Sequence, residues 1–140
     1  MSKLKPLHVG ISVPDADASV QWYKDIFGFE VLSDDFVPPL NARIVFLKGH
    51  TFEIELFEYK GADAAPLPEE RKNPDSDLKT CGVKHVAWSV ENMDEEFARL
   101  LSLKVDIVKE PFPMGKDKVC FIRDNSGILI ELIEKPKELI

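Results

Sequence analysis

The spacing of apolar and polar residues predicts a strand, a helix and three further strands in the first half of the chain. HVGISV (residues 8–13) alternates as a half-buried strand does. Residues 15–28 have the spacing of one helix face, with Asp15 or Asp17 at the start and Gly28 at the end. The predicted apolar face of this helix consists of Val20, Tyr23, Ile26 and Phe27. The three further strands are predicted at FEVLS, ARIVFLKG and TFEIELFEY.

The second half repeats this order of elements. LHVGISVPDAD, which starts at residue 7, aligns with KHVAWSVENMD, which starts at residue 84, an offset of 77 (84 − 7). The second helix is predicted to start at Asn92, with Glu95 in the capping-box position. Two further aligned pairs are RIVFLKG with KVCFIRD and EIELFE with LIELIE. The sequence therefore predicts two copies of one βαβββ unit.

These units predict one domain over residues 1–140. Its first module covers about 4–60 and its second about 81–135. The residues between them, about 61–80, are rich in Pro, Ala and charge and have no periodicity. We expect a linker that crosses the surface, and the alternative is a disordered insert.

One glutamate interrupts an apolar run in each half, Glu55 in FEIELFE and Glu131 in ILIELIE. A buried carboxylate is costly unless it is paired or bound to a metal. Strand alternation places both glutamates opposite the core face, and places His8 and His85 on faces that carry small residues. Because both pairs recur at matching positions, we predict that the four side chains converge on one metal ion. Imidazole and carboxylate ligands suit divalent zinc, nickel, cobalt, manganese or iron.

Composition excludes several classes of partner. With 25 acidic and 18 basic side chains, the net charge of −7 disfavours nucleic acid and anionic membranes. No apolar run reaches the roughly 20 residues of a membrane span, and the N-terminus lacks the apolar core of a signal peptide. Cys81 and Cys120 are too few for a disulfide framework. We expect reduced, structural cysteines and a cytoplasmic location.

Other polar residues are weaker candidates for the site. His50 lies in a predicted turn and has no counterpart in the second half, so we expect it to be solvated. Glu53 shares the face of Glu55, where it is either an exposed strand residue or a group that supports the ligands or acts as acid or base. Lys116, Lys118 and Arg123 could meet an anionic substrate tail, or could be ordinary surface residues.

The chain resembles the vicinal oxygen chelate superfamily, which includes glyoxalases, methylmalonyl-CoA epimerases, extradiol dioxygenases and bleomycin-resistance proteins. The resemblance implies an α+β fold in which two βαβββ modules form U-shaped mixed sheets around a metal site. It also implies that His8, Glu55, His85 and Glu131 are the ligands, and that the protein is a homodimer. It covers nearly the whole chain and is carried by HVGISVPDADASVQWYKDIFGFEV, FEIELFE, GVKHVAWSV and CFIRDNSGILIELIE.

Within this superfamily, the chain is most similar to methylmalonyl-CoA epimerase-like and lactoylglutathione lyase-like members. The resemblance implies a metal-dependent lyase or isomerase, with a metal-stabilised enolate and proton transfer next to a carbonyl of a small or CoA-linked substrate. We expect Glu131 to move the proton as general base and then acid. The alternatives are an extradiol-type dioxygenase and a protein that binds a metal or small ligand without turnover.

Overall fold

Two four-stranded sheets form the framework of the chain. The structure, a computed structural model, describes residues 1–137, so the last three residues of the predicted 1–140 domain lie outside the described residues. The chain divides into two compact units, one at Met1–Ala65 and one that starts at Pro66. Each unit contains one of the two sheets.

The first sheet has the strand order β1-β4-β3-β2. Strand β1 runs parallel to β4, whereas the β4–β3 and β3–β2 pairs are antiparallel. The predicted βαβββ order of the first module is therefore confirmed. Its elements are β1 (His8–Val13), α1 (Ala16–Phe27), β2 (Glu30–Val37), β3 (Ala42–Lys48) and β4 (Glu53–Glu58).

The segment predicted as a linker contains short helical elements. Two 3-10 turns lie at Gly61–Asp63 and Glu69–Lys72, and the four-residue helix α2 spans Pro74–Asp77. From Pro66 onward this segment belongs to the second compact unit.

The second sheet repeats the first, with the order β5-β8-β7-β6 and a parallel β5–β8 pair. The βαβββ prediction is confirmed here too. Its elements are β5 (Val86–Val90), α3 (Met93–Ser102), β6 (Asp106–Met114), β7 (Asp117–Arg123) and β8 (Leu129–Glu134). None of the helices within residues 1–137 is long and apolar enough to cross a membrane.

The helix ends follow the sequence signals. The Asp15 carboxylate accepts a hydrogen bond from the Ala18 N–H at 3.0 Å, so Asp15 rather than Asp17 is the N-cap of α1. Gly28 closes α1 in the left-handed conformation, with φ of 71°. Asn92 caps α3 by accepting from the Glu95 N–H at 3.1 Å.

The predicted apolar face of α1 is partly wrong. Tyr23 and Ile26 are buried, but Val20 and Phe27 are only half-buried. The other two buried positions are Ala16 and Ser19, so the buried face runs along residues 16, 19, 23 and 26 at spacings of three and four residues. Compared with the predicted face, it is turned toward smaller side chains. Small residues there let the helix pack close to the sheet.

The last glutamate of each repeated strand holds the start of the neighbouring helix. The Glu58 carboxylate accepts from the Ala16 N–H at 2.6 Å, and Glu134 accepts from the Met93 N–H at 2.8 Å. A helix N-terminus has unpaired N–H groups and a partial positive charge, so a carboxylate is stabilising there. The sequence analysis missed this role, although both glutamates align in EIELFE and LIELIE.

A cation on the third strand of each module reinforces this contact. Arg43 donates to Asp17 at 2.8 Å and to Asp34 at 2.9 and 2.8 Å, and this guanidinium lowers the pKa of both aspartates. In the second module Lys118 lies 3.2 Å from Asp94. Lys118 aligns with Arg43, and Asp94 with Asp17, so this ion pair is duplicated as well.

Strand alternation places the core on one face of each sheet. In the first module Val45 pairs with Leu56, and Leu47 pairs with Ile54, and all four side chains are fully buried. In the second module the matching buried positions are Cys120, Ile122, Ile130 and Leu132. The residues between them on each strand must therefore face the other side of the sheet.

Replacing Glu58 with alanine should lower the free energy of unfolding by about 1–3 kcal/mol, because the Ala16 N–H loses a buried acceptor. Urea denaturation measures this loss. Glu134→Ala should cost about 0.5–2 kcal/mol, since that carboxylate is less buried. The matched control is Glu30→Ala, at the exposed start of β2, with a change within about 0.5 kcal/mol. Equal losses at Glu58 and Glu30 would contradict the capping role.

The two cysteines should differ in reactivity. Burial raises the pKa of the Cys120 thiol to about 11, whereas Cys81 is exposed. Only the thiolate is alkylated, and a raised pKa keeps Cys120 neutral at pH 8–9. Iodoacetamide should therefore label Cys81 in the native protein and both cysteines in urea, as read by mass spectrometry. Equal native labelling rates at the two positions would be the opposite result.

Candidate functional site

Three of the four predicted ligands, His8, Glu55 and Glu131, lie on the sheet faces that do not carry the buried core positions. In β4, Glu53 and Glu55 alternate with the fully buried Ile54 and Leu56. In β8, Glu131 lies between the fully buried Ile130 and Leu132. The carboxylates are therefore turned away from the helices, as the alternation predicted.

In the first module the parallel pairing of β1 with β4 brings His8 beside Glu55. His8 Nε2 lies 3.4 Å from Glu55 Oε1, and these side chains are 31% and 18% exposed. Gly10 keeps space open in front of them. A Cβ atom there would lie 3.3 Å from the Phe57 ring and 3.8 Å from Glu55 Oε1.

In the second module His85 Nε2 lies 2.7 Å from Glu131 Oε2, a hydrogen-bond distance. Their side chains are 19% and 13% exposed, so this pair is more enclosed than the first. Glu131 pairs with Ala87 across the β5–β8 ladder. Strand β5 begins at Val86, so His85 lies just before it.

A phenylalanine packs edge-on against each histidine. The ring centroids of His8 and Phe46 are 5.5 Å apart with an interplanar angle of 81°, and those of His85 and Phe121 are 5.3 Å apart at 88°. Such a contact restricts the tilt of the imidazole ring. The sequence analysis missed both residues. Phenylalanine is nevertheless the only identity between the aligned segments RIVFLKG and KVCFIRD, which was a usable signal.

The secondary candidates have other surroundings. His50 is exposed in the turn before β4, and Glu53 is half-buried. Lys116 is exposed, and Lys118 pairs with an aspartate of α3. Arg123 donates to Asp106 at 2.9 Å and to the Lys72 carbonyl at 2.6 Å.

The first unit also contains a cleft of about 510 Å³. Arg43, Glu58, Phe36 and Tyr59 are among its lining residues. Arg43 and Glu58 belong to the network at the start of α1, so this cleft lies on the helix side of the sheet. It includes neither His8 nor Glu55, and we do not assign it to the candidate metal site.

The donor types of both pairs suit a divalent ion, but only the first pair has the separation of two ligands. Two ligands at about 2.1 Å from a metal lie roughly 3.0–3.4 Å from each other in octahedral or tetrahedral geometry. The 3.4 Å separation of His8 Nε2 and Glu55 Oε1 lies at the upper end of this range. The 2.7 Å separation of His85 and Glu131 is shorter and is that of a hydrogen bond.

Each module therefore brings its own histidine and glutamate together. Among residues 1–137, no group of three or more His, Cys, Asp or Glu side chains is arranged to hold a metal ion. The union of His8, Glu55, His85 and Glu131 in one site stays a prediction.

Comparison with known proteins identifies the family. The sequence model of the Glyoxalase/Bleomycin resistance protein/Dioxygenase superfamily matches residues 5–132. The chain belongs to this superfamily. The family resemblance inferred from the sequence motifs is confirmed, and so is the α+β fold of paired βαβββ modules.

The relatives of this superfamily member carry more than one activity. Mitochondrial methylmalonyl-CoA epimerase of Bos taurus is 29% identical over 129 residues, 89% of this chain and 71% of the relative. A probable lactoylglutathione lyase of Synechocystis is 29% identical over 134 residues, 91% and 93% of the two chains. The crystal structure of SMU.1112c aligns with a TM-score of 0.73 and 28% identity, and covers 94% of this chain and all of that one. Family membership thus leaves the reaction open.

Proposed function

We propose that this protein is a metal-dependent lyase or isomerase that moves a proton next to a carbonyl group of a small or CoA-linked substrate. One divalent ion would be held by His8, Glu55, His85 and Glu131. The recurrence of the same His–Glu–Phe arrangement in both modules carries the proposal. The similarity to an epimerase and a probable lyase supports it.

The four ligands and the two phenylalanines would have different roles. The two imidazole Nε2 atoms and the two carboxylates would bind the ion, and the two negative charges would balance its charge. When bound, a divalent ion polarises a substrate carbonyl as a Lewis acid, which makes the adjacent C–H bond more acidic. Phe46 and Phe121 would keep the imidazole rings in a fixed orientation.

Glu131 is the better candidate for moving the proton. Its Oε2 atom lies 2.7 Å from His85 Nε2, whereas the Glu55 contact is longer at 3.4 Å. A general base must lie within hydrogen-bond reach of the group that it deprotonates. Both glutamates would lie at the metal, and we assign the proton to Glu131, whose pair with His85 is the more enclosed of the two. Glu55 would act as a ligand only.

The homodimer and the cytoplasmic location stay predictions. Sedimentation equilibrium of the full chain would determine whether one or two chains form the particle.

The metal site predicts the behaviour of three alanine variants. After dialysis against zinc, nickel, cobalt or manganese, the native chain should retain about one ion per chain. Glu55→Ala and Glu131→Ala should each lose most of it, because each removes one of four ligands. Glu53→Ala, on the same strand face as Glu55, is the matched control and should bind normally. Elemental mass spectrometry gives the stoichiometry, and native stoichiometry in both ligand variants would exclude the four-residue site.

The proposed reaction predicts metal-dependent proton exchange. In deuterated water, the metal-loaded protein should introduce deuterium next to the carbonyl of a 2-oxo or acyl-CoA substrate. Glu131→Gln, measured at saturating metal, should slow this exchange by about 10²–10⁴-fold, since it removes the acid/base group. Glu55→Gln should have a smaller effect on the rate at saturating metal. NMR or mass spectrometry of the recovered substrate measures the label.

Two results would favour the alternative functions. Absence of label across a broad substrate panel, together with normal metal binding, would favour a binding protein without turnover. Oxygen consumption with ferrous iron and a catechol would favour an extradiol-type dioxygenase.

A further inference from the structure

The backbones of the two candidate histidines are held differently. His8 lies within β1, where it pairs with Glu53, and the Leu7 carbonyl accepts from the Glu53 N–H at 3.2 Å. In the second module the β5–β8 pairing starts at Val86. The described ladder therefore includes His8 but not His85, and the position of His85 must depend on other contacts.

Lys84, the residue immediately before His85, is bound to a buried carboxylate. Asp77, the last residue of α2, is only 1% exposed. Lys84 Nζ lies 3.3 Å from Asp77 Oδ1 and donates to the backbone carbonyls of Asp77 and Thr80. The ammonium group of Lys84 thus links the residue before His85 to the end of α2.

Arg71 binds the same carboxylate oxygen as Lys84. Its Nε atom donates to Asp77 Oδ1 at 2.7 Å, and its Nη2 atom donates to the Val83 carbonyl at 2.5 Å. Val83 is 81% exposed, so this hydrogen bond rather than apolar burial fixes its backbone. Both residues that precede His85 are therefore held through the Asp77 cluster, which we define as Arg71, Asp77 and Lys84.

The Asp77 cluster is itself attached to the second sheet. Arg123, at the end of β7, donates to the carbonyl of Lys72, the neighbour of Arg71, at 2.6 Å. Lys109, on β6, lies 2.6 Å from Asp75 of α2. The segment between the modules is therefore bound to the sheet that carries Glu131, the partner of His85.

Asp77 also differs from an ordinary surface ion pair. Within the described residues its Oδ2 atom is buried and has no hydrogen-bond partner. A buried carboxylate with one unsatisfied oxygen depends strongly on its remaining charged partners. Substitution of Asp77 should accordingly change the positions of Arg71 and Lys84.

We infer that Asp77 is a positioning residue for His85, and that it acts through Arg71 and Lys84 on the backbone of residues 83–84. This inference rests on the proposed function only in treating His85 as a metal ligand. The segment predicted as a linker would then contribute to the metal site, without any of its residues binding the ion.

The first test measures the histidine side chains directly and needs no metal. The chain has three histidines, so His8 and His50 serve as internal references for His85 in an NMR spectrum of the imidazole groups. Asp77→Asn should shift or broaden the His85 signals and leave those of His8 unchanged. Glu70→Gln removes an exposed carboxylate next to Arg71 in the same segment and is the matched control, with all three histidines unchanged.

The second test measures the zinc affinity of the same variants by calorimetry. Asp77→Asn should weaken zinc binding by about 10–100-fold, as loss of a ligand's supporting contacts does, and Glu70→Gln should bind as the native chain. Arg71→Gln covers the case in which Asp77→Asn does not fold. This substitution is distant in sequence from His85 and removes the contacts with Asp77 and the Val83 carbonyl. We expect the same change in the His85 signals and the same loss of zinc affinity.

The outcomes separate this inference from the proposed function. Native His85 signals in a folded Asp77→Asn or Arg71→Gln variant would overturn the positioning role. Shifted His85 signals in a chain whose native form binds no zinc would support the positioning role and reject the metal site. Shifted signals with weakened zinc binding would support both.

Discussion

In both modules the first strand runs parallel to the last, and the candidate site depends on that pairing. His8 and Glu55 are 47 positions apart (55 − 8), yet the β1–β4 ladder places their side chains 3.4 Å apart. A parallel pair requires a long connection between its strands, and here it contains a helix that packs on the other face of the sheet. The same topology therefore covers the core and leaves the His–Glu pair on the opposite face.

A single strand then serves two purposes because its side chains alternate. Glu55 and Glu58 are three positions apart, so they point to opposite faces of β4. One faces His8, and the other holds the N-terminus of α1. In β8, Glu131 likewise faces His85, and Glu134 holds the N-terminus of α3. This double use explains why the pattern of two glutamates is retained in both copies, although the loops between the strands differ.

The differences between the copies are as informative as the likeness. Arg43 contacts two aspartates and a buried glutamate, whereas Lys118 contacts one aspartate. A planar guanidinium can bind several carboxylates at once, and an ammonium binds as a point charge. The second module has an additional network around Asp77, on the segment that leads to His85. The histidine outside the strand ladder is the one with this added support.

The sequence by itself determined the duplicated βαβββ order, the helix limits at Gly28 and Asn92, and the recurrence of one histidine and one glutamate in each half. Periodicity, capping residues and internal repetition are local signals, and they can be read along the chain. Only the tertiary structure decided that Glu58 and Glu134 cap helices, that Phe46 and Phe121 pack on the histidines, and that Asp77 is buried between two cations. These contacts join residues far apart in sequence. They are created by strand register and side-chain packing, which no local pattern encodes.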